Sequence, residues 1–188
     1  MSLELSAWRE QIARELQRAP HDRHHAWRTP VLASVADGGA PRVRTVVLRA
    51  VTEDASVLLI YTDARSSKVA ELQQQPQAAL VFWSARLNLQ LRVQALAAVH
   101  LQGALVDEAW SRMRQAPSAS DYLSAQAPGS PLSQALPAES DGARHHLAVI
   151  ECRAQSWDAL LLARDGHRRA AWCWDDEGRC DEGRWLVP

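Results

Sequence analysis

The stretch RVRTVVLRA, residues 42–50, decides how the chain folds. Val43, Val46, Val47 and Leu48 read as a β-strand, because branched and apolar side chains suit a pleated, half-buried surface. Arg42, Arg44 and Arg49 interrupt that pattern, and a guanidinium is costly to bury unless an anion receives it. In an ideal strand residues 44 and 49 face opposite sides, so either a bulge intervenes or one long side chain reaches around the edge. Upstream, VLASVA (31–36) alternates as a strand and DGGAP (37–41) is a turn, so RVRTVVLRAV (42–51) returns as the second arm of a hairpin. Downstream, TEDA (52–55) is another turn and SVLLIYT (56–62) a third strand.

The remaining chain divides by the same signals. Leu5, Trp8, Ile12 and Leu16 recur at helical spacing, which predicts an amphipathic helix ending before Pro20. HDRHHAWRTP (21–30) is a polar connector. SSKVAELQQQP (66–76) is a short helix stopped by Pro76. AALVFW (78–83) and LNLQLRVQALAAVH (87–100) are strands, and residues 107–126 read as helical. QAPGSPLSQALPAES (126–140) is loop; HLAVIECRAQSW (146–157), then ALLL (159–162), HRRAAWCWD (167–175) and GRWLVP (183–188) follow as strands or strand pieces. There is no internal repeat and no dividing linker, so residues 1–188 are expected to form one domain. Its expected class is mainly β (α+β): an antiparallel barrel of six or more strands with peripheral helices.

Composition narrows the function. A net charge of −1 offers no bulk field for nucleic acid or an anionic membrane. No apolar run approaches the roughly 20 residues of a membrane helix, and no leader is recognisable, so a cytoplasmic location is expected. Cys152, Cys173 and Cys180 are an odd, loosely spaced set that suits reduced thiols and no zinc. His21, His24 and His25, and likewise His145 and His146, follow no metal-ligand spacing and are expected to be solvated; no metal site is assigned. Glycine-rich phosphate loops and nucleophile elbows are absent from the sequence.

A second stretch answers the arginine question. In YTDARSSKVAEL (61–72) a strand ends at Tyr61–Thr62 and a helix begins at Ser66 or Ser67. Lys68, the single lysine beside 20 arginines, therefore stands at the helix end that favours negative charge. Either it is solvated, as many such lysines are, or an external anion sits there, cradled by serine hydroxyls, free N–H groups and the ammonium.

RTVVLR (44–49), YTDARSSK (61–68) and LVFWSARLNLQLRV (80–93), in that order and spacing, resemble the FMN-binding core of the pyridoxamine 5'-phosphate oxidase-like split barrels. The resemblance covers roughly residues 25–100 and continues more loosely to the C-terminus. It implies a split β-barrel homodimer with FMN at the interface, the anion being the FMN phosphate. It places Arg44, Ser66, Ser67 and Lys68 at that phosphate. Val46, Val47 and Arg49 would lie along the flavin, with Tyr61 and Thr62 lining its ring or ribityl chain. Gln90 would hydrogen-bond the flavin, Arg169 would help polarise it, and Gln126, in SAQA, would reach in from the partner subunit. Trp83 and Trp110 are candidates to shield the flavin, while Trp172, Trp174 and Trp185 are expected at the dimer seam.

The substrate half of the pattern is less well kept. DGHRRAAW (165–172) resembles the oxidase's R-x-H-x-R at His167 and Arg169, but Asp165 replaces the first Arg. The oxidase's phosphate clamp is represented by Arg112 and Arg114 at shifted spacing. His167, Arg112 and Arg114 are thus the substrate-side candidates, and no catalytic side chain is assigned, the flavin carrying the chemistry. The expected function is an FMN-dependent oxidoreductase acting on an unidentified small molecule. An authentic pyridoxamine/pyridoxine 5'-phosphate oxidase, and a non-enzymatic flavin or tetrapyrrole carrier, remain the alternatives.

Overall fold

The opening stretch is two strands rather than one. In the computed structural model, which describes residues 2–131, 144–175 and 177–188, it splits at Val46–Val47 into β2 (Pro41–Thr45) and β3 (Leu48–Val51). β2 pairs antiparallel with β1 (Val31–Val35), and β3 pairs with β4 (Val57–Asp63). The other strands are β5 (Gln77–Ser84), β6 (Leu89–His100), β7 (Leu147–Leu161), β8 (Arg168–Cys173) and β9 (Arg184–Leu186). Along the sheet the order is β2-β1-β5-β6-β7-β4-β3, with β8 and β9 added beside β7. The two outermost strands, β2 and β3, are therefore consecutive in the chain and only two residues apart. The sheet must curl until its edges meet at Val46–Val47 without pairing, which makes the barrel split. Arg44 and Arg49 therefore stand on different strands, and a register shift lies between Leu48 and Ala50 in the β3–β4 pairing.

Leu32, Leu58, Ile60, Leu80, Phe82, Leu91 and Val93 fill the barrel, and helix α1 (Ser2–Arg18) packs Leu5, Ile12 and Leu16 into the same core. Burying one such side chain contributes about 1.5–3 kcal/mol, so the lining positions dominate stability. Helix α2 (Ser67–Gln74) follows β4 directly. Helix α3 (Ala104–Met113) forms a second apolar cluster through Val106, Ala109 and Met113 against Leu147 and Val149 of β7.

Several expectations need correction. The helix read over 107–126 ends at Met113, and only a short 3-10 turn, Pro117–Tyr122, follows, because proline lacks the N–H that would continue the ladder. Residues 146–157 and 159–162 form one long strand, β7. The connector 21–30 is not wholly polar surface: His25 is buried, its Nε2 2.9 Å from Glu15 Oε2 and its Nδ1 accepting from the Trp27 N–H at 3.1 Å. His145 is not free in solvent either, since it stacks on Trp110 at 4.4 Å. Trp172 is fully buried within its own subunit, edge-on to Trp8 at 5.8 Å; Trp185 stacks on Trp8 at 5.5 Å and Trp174 tilts over Trp157 at 5.0 Å. These three tryptophans pack against α1 and β7 of the same chain, with Trp174 and Trp185 left half-buried. Gly183 permits this, because its φ of +78° is easy only for glycine and an added Cβ would lie 2.3 Å from Trp172 Nε1. The loop expected at 126–140 lies outside the described residues from 132 onward.

Candidate functional site: a cationic cradle at the start of helix α2

Strand β4 delivers Thr62 to the barrel rim, and the turn 63–66 swings the chain into α2. Ser66 occupies the N-cap position with extended backbone, yet its hydroxyl makes no capping bond to the helix. It faces the Thr62 hydroxyl instead, at 3.2 Å, and Lys68 Nζ donates to Thr62 Oγ1 at 3.0 Å. Three side chains thus converge where the first N–H groups of a helix have no intrahelical acceptor.

Lys68 is half-buried, and among the described residues no carboxylate lies within ion-pair reach of it. Burial, and then the neighbouring positive charge of Arg44, pull its ammonium below the ordinary lysine value, while Asp63 and Glu71 oppose the change more weakly. Asp63 is already engaged by Arg65, at 2.7 and 3.0 Å, and Arg65 also holds the carbonyls of Ser124 and Ala125 at 2.9 and 3.2 Å.

Arg44 approaches from β2. Its guanidinium donates to Ser34 Oγ, to the Arg42 carbonyl at 3.2 Å and to Glu71 Oε2 at 2.7 Å. Glu71 is buried; burial works to raise its carboxyl, but the Ser34 hydroxyl and Arg44 outweigh it and hold the group below its usual range. Ser34 and Glu71 were not anticipated. The only sequence signal for Glu71 is its position three residues after Lys68, hence on the same helix face.

The other candidates are placed elsewhere. Arg49 lies 6.0 Å from the Tyr61 ring centre, beside the Tyr122 hydroxyl, and its buried Nε has no hydrogen-bond partner among the described residues. Burial raises both phenols above their ordinary value, with Arg112 and Arg49 opposing at Tyr61 and Arg49 at Tyr122. Val47 is half-buried and Val46 buried at the barrel's slit. Ser67 is exposed on the first turn of α2. Gln90 sits on the outer face of β6, opposite Trp83 and Leu160. On the same face Arg169 is bound by Asp158 at 2.8 and 3.0 Å, and Asp158 also holds Arg92 at 2.5 Å. Gln126, Arg114 and His167 are exposed; His167 Nδ1 accepts from the Ala163 N–H at 3.2 Å and so braces the β7–β8 turn. Arg112 pairs with Glu108 at 2.5 Å. The chain by itself therefore assembles the Arg44–Thr62–Ser66–Lys68 group and leaves Gln90, Gln126, His167 and Arg169 apart from it in the residue contacts described.

A curled, split sheet thus brings two cations and two hydroxyls together at one rim. Comparison with known proteins shows the family. Residues 5–101, just over half of the 188-residue chain, match the family "Pyridoxamine 5'-phosphate oxidase, FMN-binding domain", and the chain belongs to that family, with FMN as the domain's cofactor. A pyridoxine/pyridoxamine 5'-phosphate oxidase of Thermosynechococcus vestitus is 43% identical over 63 residues, covering 34% of this chain and 29% of the relative. One from Anaeromyxobacter dehalogenans is 33% identical over 90 residues, covering 48% and 42%. The chain thus spans less than half the length of these curated relatives. Among solved structures, a pyridoxamine 5'-phosphate oxidase-related, FMN-binding protein of Nostoc punctiforme is similar with a TM-score of 0.75 and 25% identity, over 96% of this chain and 97% of the other. PhzG from Burkholderia lata, solved with tetrahydrophenazine-1-carboxylic acid, gives 0.74 and 17% over 95% and 91%, which shows the shared fold. No helix of the described residues is long and apolar enough to cross a membrane.

Proposed function

We propose that this chain is an FMN-dependent oxidoreductase acting on a small molecule, and that Arg44, Thr62, Ser66 and Lys68 hold the FMN phosphate. The observation that carries the reading is Lys68: a half-buried ammonium, next to a second cation and two hydroxyls, with no carboxylate of its own among the described residues. Such an arrangement disfavours its own charges until a multiply charged anion enters. Ser67 would add its backbone N–H from the first turn of α2. Arg44 already spends three N–H hydrogens on protein acceptors, and two of its five remain for the phosphate.

From that anchor, Val46 and Val47 at the slit and Tyr61 at the end of β4 would flank the flavin, and Arg49's unpartnered Nε would meet an acceptor on the cofactor or substrate. Bound FMN supplies hydride and electron transfer, so the chain needs no nucleophile of its own. What the chain contributes is orientation and a fixed field: donors that stay in place and a wall that limits water.

Gln90, Gln126, Arg169 and the substrate-side residues His167, Arg112 and Arg114 fit this reading through a second subunit. The sheet's outer face leaves Val43 70%, Trp83 45%, Val31 39% and Leu96 39% exposed, a grouping of apolar residues that suits burial in a homodimer. Assembly on this face would bring one subunit's Gln90 and Trp83 against its partner.

Reconstitution tests the proposal. Protein loaded with FMN should retain it through gel filtration and catalyse repeated reduction and reoxidation of the flavin, followed by its visible absorbance with reduced nicotinamide and O₂. Tight FMN binding with electron transfer no faster than that of free FMN would contradict the enzyme reading in favour of a carrier.

A further inference from the structure

We propose that Glu71, acting with Ser34, is the residue that positions Arg44 for the cofactor phosphate; this rests on the reading that the phosphate occupies the Lys68 cradle. Arg44 extends from β2, which among the described residues pairs only with β1 and forms an edge of the sheet. A long side chain on an edge strand has many rotamers, and freezing it costs entropy at the moment a ligand binds. Here that freezing is already done. Glu71 Oε2 accepts from Arg44 Nη2 at 2.7 Å and from the Ser34 hydroxyl at 2.5 Å, and Ser34 Oγ in turn accepts from Arg44 Nη1. The three side chains close a triangle across β1, β2 and α2.

The placement of Glu71 is unusual for a carboxylate. It is only 8% exposed, and a buried charge is retained only where it is paired. It stands one helical turn after Lys68 on α2, so a single turn carries the ammonium of the cradle and the acceptor that fixes the other cation. It also partly supports the charge on Lys68. The alternative role, a fastener that merely holds α2 to the β1–β2 hairpin, would affect stability and all ligands alike. A positioning role acts on the phosphate alone.

The ratio of the dissociation constants for riboflavin and FMN isolates the phosphate and separates the two roles. Glu71→Ala frees Arg44 and should lower that ratio about tenfold, the worth of one charge-assisted contact, while riboflavin affinity stays as in the wild type. Glu71→Gln keeps an oxygen that can accept from Arg44 and removes a negative charge from the cradle, so the ratio should equal or exceed the wild-type value. Ser34→Ala removes one corner of the triangle and should lower the ratio by a smaller factor; it serves if Glu71→Ala does not fold. The proposal is overturned if Glu71→Ala, or Ser34→Ala in its place, leaves the ratio unchanged, or if Glu71→Gln loses as much as Glu71→Ala. Lys68→Ala is the control: a ratio insensitive to it would mean that the phosphate lies elsewhere, and the reading beneath the proposal would fail with it.

Discussion

Replacing Lys68 by methionine should move stability and cofactor affinity in opposite directions. Methionine keeps the length and apolar stem of lysine and deletes the charge. In the apoprotein that charge is half-buried beside Arg44, and its folded-state pKa lies below the unfolded value of 10.5. The unfolded chain therefore binds more protons, and wild-type stability rises with pH across the window between the lowered pKa and 10.5. At neutral pH the ammonium opposes folding, so Lys68→Met should raise the apoprotein's melting temperature and remove this alkaline rise. With FMN the same change removes a charge-assisted contact worth about 1.5–3 kcal/mol, a loss of roughly 10- to 150-fold in affinity. Riboflavin, which has no phosphate, should bind both proteins equally. Calorimetric melts of the apoprotein from pH 7 upward, with fluorescence titrations of both flavins, check the two signs. An apoprotein destabilised by Lys68→Met, together with unchanged FMN affinity, would refute the reasoning, because it would make Lys68 a structural cation.

Other consequences are independent of that residue. Val43→Asp and Trp83→Asp place charges on the exposed apolar face and should shift the protein toward monomer in light scattering, with weakened FMN retention; a dimer unmoved by either would put the interface on another surface. Gly183→Ala should cost about 2–4 kcal/mol, from left-handed strain plus the clash with Trp172, and thermal melts at matched FMN saturation would register it. Pyridoxamine 5'-phosphate should be a poor substrate of the FMN-loaded protein, because Asp165 offers repulsion where the resemblance expects an arginine. Since Asp165 is exposed, the effect of one charge is near 1 kcal/mol in water and larger only if a second subunit covers it. Hydrogen peroxide formation at rates typical of an enzyme with its natural substrate would contradict this, and a gain in kcat/KM for Asp165→Arg would support it.

Much of this architecture is legible in local patterns. Leu5, Ile12 and Leu16 mark α1 because helical spacing and burial coincide there. The first part of β6, LQLRVQ, alternates apolar and polar residues cleanly, so its inward face can be read directly, whereas β5 is an unbroken apolar run whose inward face only the fold reveals. Legibility fails where the deciding contact is distant. Val46 and Val47 have the propensity of strand residues, and nothing local says that the sheet's two edges part between them. Glu71 and Ser34 are 37 residues apart, so the triangle around Arg44 needs the fold to bring it together. Tyr122 beside Arg49, and Asp158 between Arg92 and Arg169, are likewise products of topology. His25 looked solvated because its neighbours are polar, whereas Glu15 and the Trp27 amide receive it inside the structure.

The central claim is that the FMN phosphate sits among Arg44, Thr62, Ser66 and Lys68 at the start of α2, and a crystal structure of the FMN complex tests it most directly. The account predicts phosphate oxygens within hydrogen-bonding distance of Lys68 Nζ and the Thr62 or Ser66 hydroxyl, with Arg44 still bound to Glu71. A phosphate found instead at the second cationic position, beside Arg49 and Tyr122, with Lys68 left on Thr62 alone, would contradict it.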